Sequence, residues 1–133
     1  MVRSGLMDTR TKIVDAKWRP PPGETAWAAA TGWFDVLTAD HCRLLAAARQ
    51  SATRLAVVVY EDEEGRTTAL NATARAQLAA ALEAVDRVVI CRRTAAARWL
   101  DSRGLLQVID LEAGVRRDVV ADVLKLHAAA ANA

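Results

Sequence analysis

The length, composition and charge of the chain favour one globular domain. Its 133 residues are enough for a single core, and a hydrophobic content of 53% excludes disorder throughout. A net charge of +2, from 18 basic and 16 acidic residues, gives no reason to expect a nucleic-acid partner. Cys42 and Cys91 are too few for a disulfide scaffold and lack metal-ligand spacing, which predicts a reduced, cytoplasmic setting.

The N-terminus shows no targeting signal. "MVRSGLMDTRTK" lacks the apolar core of a signal peptide, and no apolar run in the chain reaches the roughly 20 residues of a membrane span. We expect residues 1–11 to be disordered and residues 12–133 to form a single domain. A stiff "PPPG" connector at 20–23 separates a short segment, 12–18, from the first strong element.

Strand and helix signals then alternate along the chain. Short apolar or β-branched runs predict buried strands at 25–32, 54–62, 86–91 and 105–111. Helical spacing predicts helices at 39–50, 71–85, 94–104 and 114–130. The apolar stripe of the first helix is predicted to contain Cys42, Leu45 and Ala46, and that of the second Leu78, Leu82 and Val85. Thr94 is predicted to cap the third helix.

This alternation predicts an α/β fold. Helices of this length suit the crossovers of a small parallel sheet, with helices on both faces, as in a Rossmann-like three-layer sandwich. Ligands of such sheets bind beyond the carboxyl ends of the strands. The first strong strand ends in "TGWFD", which places residues 31–35 where a ligand is expected.

The residues after this strand have the features of an anion site. A helix beginning near Thr38 or Ala39 presents free backbone N–H groups and the positive end of its dipole. His41 lies in its first turn, and Gly32 allows the backbone to approach a ligand closely.

The stretch "GWFDVLTADHCRLL" resembles the GxFDxxHxGHxxxL signature of the cytidylyltransferase-like nucleotidyltransferases. "RAQLAAALEAVDRVVI", at 75–90, is similar to the arginine-led helix and following strand of the same family. The likeness extends over about residues 12–111 and is greatest to the adenylyltransferase domain of bifunctional heptose-phosphate enzymes. It implies a strand order of 3-2-1-4 and, because such enzymes often form dimers, a homodimer.

The resemblance also implies a site and a reaction. Family members transfer AMP or CMP from ATP or CTP, with Mg²⁺, to a phosphorylated sugar or alcohol, and both motif histidines stabilise the phosphates. The matching nucleotide- and phosphate-binding residues are Gly32, Phe34, Asp35, Thr38, His41 and Arg75, with His41 as the catalytic residue. No protein ligand set for a metal is predicted.

Two positions depart from the motif. Thr38 replaces the first histidine, and a threonine cannot carry positive charge. Asp40 replaces the motif glycine and adds a negative charge, which at about 5 Å would repel each phosphate charge by roughly 3 kcal/mol. A carboxylate also suits an empty helix N-terminus. We therefore expect Asp40 to take the place of the ligand, so that transfer is weak or absent while nucleotide or sugar-phosphate binding persists.

Each residue also has a plainer interpretation. His41 is alternatively a neutral, partly exposed relic, Asp35 a turn residue and Arg75 a solvated helix arginine. The acidic run 61–64 is expected to be a solvated loop and not a metal site. The alternative function for the chain is a non-catalytic protein-interaction module or dimerising scaffold on the same fold.

Overall fold

The computed structural model describes residues 8–24 and 26–111, which contain one open, parallel sheet of five strands. The strands are β1 Ile13–Val14, β2 Trp27–Gly32, β3 Arg54–Tyr60, β4 Arg87–Cys91 and β5 Gln107–Asp110. The predicted α/β class and parallel sheet are confirmed. The predicted last helix, at 114–130, lies outside the described residues.

The observed order of the sheet is β1-β4-β3-β2-β5, not the four-strand order 3-2-1-4, because the sheet has an edge strand that the prediction lacked. The four predicted strands, which are β2 to β5 here, do lie in the predicted relative order β4-β3-β2-β5. The prediction left segment 12–18 outside the sheet, but Ile13 and Val14 pair in parallel with Val88 and Val89 at one edge. Two apolar residues are too few to show a strand periodicity. This strand is therefore evident only from its pairing with β4.

Three helices cover the two faces of the sheet. They are α1 Ala39–Gln50, α2 Ala72–Ala80 and α3 Arg93–Asp101. Leu45 of α1 and Ala76 of α2 belong to one core cluster, whereas Ala96 and Trp99 of α3 belong to a second cluster with Val58 and Val89. The crossovers therefore place α1 and α2 on one face and α3 on the other. None of the helices in the described residues is long and apolar enough to cross a membrane.

Several helix details differ from the prediction. Leu45 is buried as predicted, but Cys42 and Ala46 are exposed, and α1 buries His41 and Ala48 in their place. The second helix ends at Ala80, and Leu78 is 42% exposed. The third helix has Arg92 at its N-cap, without a side-chain cap bond, so the predicted cap by Thr94 is wrong. Alanine-rich helices show weak apolar periodicity, and tertiary packing decides which face is buried.

The N-terminal part of the chain packs across α3. Before β1, Thr9–Lys12 forms a short 3-10 helix capped by Asp8. Residues 1–7 lie outside the described part of the chain, so the domain limits stay a prediction.

After β1, residues 15–24 form a segment that we call the N-terminal strap. The Trp99 Nε1–H donates to the Ala16 carbonyl at 2.8 Å, and the Trp18 ring stacks at 6.5 Å from that of Trp99.

Candidate functional site

The predicted motif begins where β2 ends, at the carboxyl edge of the sheet. Gly32 is the last residue of β2, is buried and pairs with Val59 of β3. Trp33 and Phe34 follow and are also buried. Phe34 has a φ of 52°, which costs a residue with a side chain roughly 1–3 kcal/mol and is characteristic of constrained or functional turns. The chain turns here so that the Phe34 ring enters the core beneath α1.

The first turn of α1 is closed by a capping box between Thr38 and His41. The Thr38 backbone N–H donates to His41 Nδ1 at 3.0 Å, and the His41 backbone N–H donates to Thr38 Oγ1 at 3.4 Å. His41 is only 4% exposed, and its ring lies 5.4 Å from the Phe34 ring. The expectation of a partly exposed histidine is therefore wrong, although His41 does lie in the first turn as predicted.

This capping box holds the His41 imidazole in one orientation. It also engages backbone N–H groups that would otherwise be free to bind an anion at the helix start. Because the Thr38 N–H donates to it, Nδ1 acts as an acceptor in this arrangement. Two backbone N–H groups at the helix start are satisfied by side chains. In the described part of the chain, the N–H groups of Ala39 and Asp40 have no such partner. Part of the anion-binding capacity of the helix start therefore remains.

Asp40 does not cap the helix. Its carboxylate forms an ion pair with Arg43, one turn further along α1. The sequence assigned the role of ligand substitute to Asp40, whereas the structure gives the capping role to Thr38 and His41. Because Arg43 offsets the charge of Asp40, repulsion of a bound phosphate is weaker than the sequence suggests.

We expect Thr38→Val to lower the free energy of unfolding by about 1 kcal/mol, because an N-cap hydroxyl typically contributes 0.5–2 kcal/mol. Urea denaturation of both proteins measures the change. Thr94→Val is the matched control, since Thr94 is exposed on α3 and makes no cap bond. An equal loss in the two variants would contradict the cap assignment.

Asp35 ties the motif loop to the segment that follows β3. Its two carboxylate oxygens accept hydrogen bonds from the backbone N–H groups of Ala69, at 2.8 Å, and Leu70, at 3.0 Å. Asp35 therefore acts here as an anchor between two loops at the carboxyl edge, which is close to the structural turn role that the sequence left open.

Arg75 holds the same two loops from inside the protein. Its side chain is fully buried, and four of its N–H groups donate to Leu70 O, Trp33 O, Tyr60 O and Asp62 Oδ1, at 2.7 to 3.0 Å. A solvated arginine is therefore the wrong interpretation. The guanidinium donates to the ends of β2 and β3, so Arg75 positions the edge where a ligand is expected and faces inward itself.

The pKa of Asp62 is lowered from its ordinary value of 3.8 by the backbone N–H of Ala72 and by the Arg75 guanidinium. A carboxyl group with a lowered pKa in the folded state stabilises the protein above its unfolded-state pKa, and this contribution is lost as the pH falls through the lowered pKa.

We expect the free energy of unfolding to fall below about pH 4 and Asp62→Asn to reduce this fall, because the amide does not titrate. The effect is modest, since the Asp62 side chain is 52% exposed. Urea denaturation at pH values from about 7 to about 3 measures how the free energy of unfolding of each protein depends on pH. Parallel curves for the two proteins would show that Asp62 does not contribute.

The structure adds a cation that the sequence analysis missed. Arg66, in the loop after β3, places its guanidinium 3.8 Å from the centroid of the Trp33 ring. It has no ion pair among the described residues, and its Nε–H is buried without a hydrogen-bond partner there. The only sequence signal was a basic residue beside Gly65, and only tertiary packing places Arg66 on Trp33.

Three of the four acidic residues at 61–64 pair with arginines, Asp62 with Arg75 as described above. Glu61 lies 3.5 Å from Arg92, and Glu63 lies 3.1 Å from Arg93. Within residues 8–24 and 26–111 no group of three or more histidine, cysteine or acidic side chains is placed to hold a metal ion.

No protein-family model and no curated protein matches the chain. Among solved structures, the chain is similar to the lipopolysaccharide core biosynthesis protein from Thermoplasma volcanium GSS1, with 29% identity and a TM-score of 0.46. The alignment covers 49% of this chain and 57% of that chain, so the chain spans little more than half the length of this neighbour. The nucleotidyltransferase resemblance therefore remains a prediction from the motif.

Proposed function

We propose that this chain is a divergent nucleotidyltransferase-like domain in which nucleotidyl transfer is impaired and weak binding of a nucleotide or sugar phosphate persists. The observation that carries the proposal is the Thr38–His41 capping box at the carboxyl edge of the sheet. It keeps the helix start and the second motif histidine in place, without the positive charge that the first histidine would supply.

Impaired transfer follows from the chemistry of position 38. In the resembling family, catalysis consists of positioning and of stabilising charge on the phosphates as pyrophosphate leaves. Thr38 is neutral, and its Oγ1 lies 2.9 Å from His41 Nδ1 and accepts the His41 N–H. Its hydroxyl is thus engaged by the cap and is a poor substitute for an imidazolium aimed at a triphosphate.

Residual binding is supported by two other features of the same edge. The Ala39 and Asp40 N–H groups lie in the first turn of α1, and Arg66 provides a guanidinium on Trp33. Backbone donors at a helix start and an arginine without an acidic partner are both suited to phosphate oxygens. The ligand class is therefore a phosphate-bearing molecule, with ATP or CTP and Mg²⁺ as the first substrates to test.

Thermal melting with ATP or CTP plus Mg²⁺ tests the binding. A ligand at 100 times its dissociation constant adds about 2.7 kcal/mol of stability. We expect a small upward shift at millimolar nucleotide, reduced in Arg66→Met and retained in the control Arg98→Met, whose side chain is exposed on α3. An unchanged melting temperature at millimolar nucleotide would contradict residual binding.

The alternative, a non-catalytic interaction module, is favoured by one observation. Leu106, just before the edge strand β5, is 61% exposed and Val108, within β5, is 47% exposed, and exposed apolar edge strands promote association. Light scattering over a concentration series tests for a homodimer. A concentration-dependent dimer that Val108→Lys abolishes would support this alternative, and a monomer at all concentrations would exclude self-association.

We also propose a cytoplasmic location, because Cys42 and Cys91 are both free thiols.

A further inference from the structure

A small cleft lies beneath the N-terminal strap, at the amino edge of the sheet. Its volume is about 130 Å³, and Trp18 of the strap and Trp27 of β2 form its aromatic side. Since β2 has six residues at about 3.3 Å each, the cleft lies roughly 20 Å from the motif at the other end of the strand. It is therefore separate from the candidate site around His41.

The strand register brings two arginines to this cleft. Trp27 pairs with Arg54, and Ala56, two residues further along β3, pairs with Arg87. Because alternate residues of a strand share a face, Trp27, Arg54 and Arg87 lie on one face of the sheet at its amino edge. This is the face that α3 and the strap cover.

The acidic groups of the cleft are already occupied. Asp86 Oδ2 accepts from Arg49 Nε and from the Leu55 N–H, and Asp86 Oδ1 accepts from Arg54. Glu24 accepts from the Trp27 indole N–H at 2.9 Å. Arg87 donates only to the Asp86 carbonyl and has no carboxylate partner in the described part of the chain. The lining of the cleft therefore contains two arginines and two carboxylates. Arg49 of α1, which pairs with Asp86 beside the cleft, brings the cluster to three guanidinium groups against two carboxylates, and Arg87 is the guanidinium without a carboxylate partner.

We propose that this cleft binds a small oxyanion of phosphate size, held by the guanidinium groups of Arg87 and Arg54. The volume is that of about four water molecules, which suits a single phosphate group and is too small for a nucleotide. Paired guanidinium donors match the oxygens of such an anion. Because Arg54 also serves Asp86, Arg87 contributes the larger part of the binding.

Titration of ¹⁵N-labelled protein with inorganic phosphate tests the proposal. We expect the indole N–H signals of Trp18 and Trp27 to move and to saturate, and that of Trp33, at the opposite edge, to stay. Arg87→Met should weaken binding at least tenfold, about 1.4 kcal/mol. The control Arg98→Met, exposed on α3, should bind as the wild type does.

Three outcomes would overturn the proposal. They are the absence of a saturating shift, equal affinity in Arg87→Met and wild type, and an identical shift with sodium chloride at the same ionic strength, which would indicate general screening. A nucleotide bound at the motif would instead move the Trp33 signal. The phosphate cleft and the nucleotide site at the motif are therefore tested independently.

Discussion

Arg75→Met is expected to lower the free energy of unfolding by about 3–5 kcal/mol, because it leaves three backbone carbonyls without their charged donor at roughly 1–3 kcal/mol each. Methionine keeps much of the apolar volume but none of the donors. The carbonyls of Trp33 and Tyr60, at the carboxyl ends of β2 and β3, then lose hydrogen bonds of 2.7 and 2.9 Å, and the Leu70 carbonyl, just before α2, loses one of 3.0 Å. A carbonyl oxygen that is removed from water and has no hydrogen-bond donor lowers the free energy of unfolding.

Urea denaturation of the wild type and the variant measures this loss. Arg98→Met is the matched control, because it makes the same chemical change at an exposed position of α3, and it should cost less than about 0.5 kcal/mol. Arg75→Lys should recover part of the stability, since an ammonium can reach some of the carbonyls but lacks the planar fork. A loss below about 1 kcal/mol in Arg75→Met would show that the arginine does not hold the loops together.

Asp86→Ala is expected to lower the free energy of unfolding by about 2–3 kcal/mol. The Asp86 side chain is 15% exposed and joins the end of α1, through Arg49 at 2.9 Å, to the start of β3, through the Leu55 N–H at 2.8 Å. Its removal leaves a buried backbone donor and a half-buried arginine without their acceptor. Hydrogen bonds to charged groups are the stronger ones, which accounts for the size of the expected effect.

Asp86→Asn separates the roles of charge and acceptor. The amide oxygen can still accept from Leu55, so this variant should lose less stability than Asp86→Ala. Asp101→Ala, at the exposed end of α3, is the control and should be nearly neutral. Equal losses in Asp86→Ala and Asp101→Ala, measured by urea denaturation, would contradict the linking role.

Structural features were predicted correctly where a sequence pattern is compatible with only one local structure. The β-branched run of β3 can be buried on both faces only in a covered sheet, and residues Leu55 to Val59 are all fully buried. The turn at Thr38 was also predictable, because a hydroxyl residue before a helical pattern acts as an N-cap. The position of His41 in the first turn followed from the same reasoning.

The remaining features depend on contacts between distant segments. A helix arginine is usually solvated, and the burial of Arg75 arises from carbonyls that three other segments supply. Arg66 lies 33 positions from Trp33 along the chain, and no local pattern indicates their contact. The pairing of Asp40 with Arg43, by contrast, could be predicted from the sequence, because residues at spacing i, i+3 are neighbours on a helix surface.

The most direct test of the proposed function is calorimetric titration of Mg²⁺ with ATP and CTP into the wild type and the Thr38→His, Asp40→Gly double variant, each first checked for a cooperative melt. Restoring a cationic side chain at the helix start is expected to tighten nucleotide binding at least tenfold, about 1.4 kcal/mol, over weak wild-type binding. Unchanged or weaker binding by the double variant would contradict the assignment of the motif, and tight wild-type binding with rapid pyrophosphate release would contradict the loss of transfer.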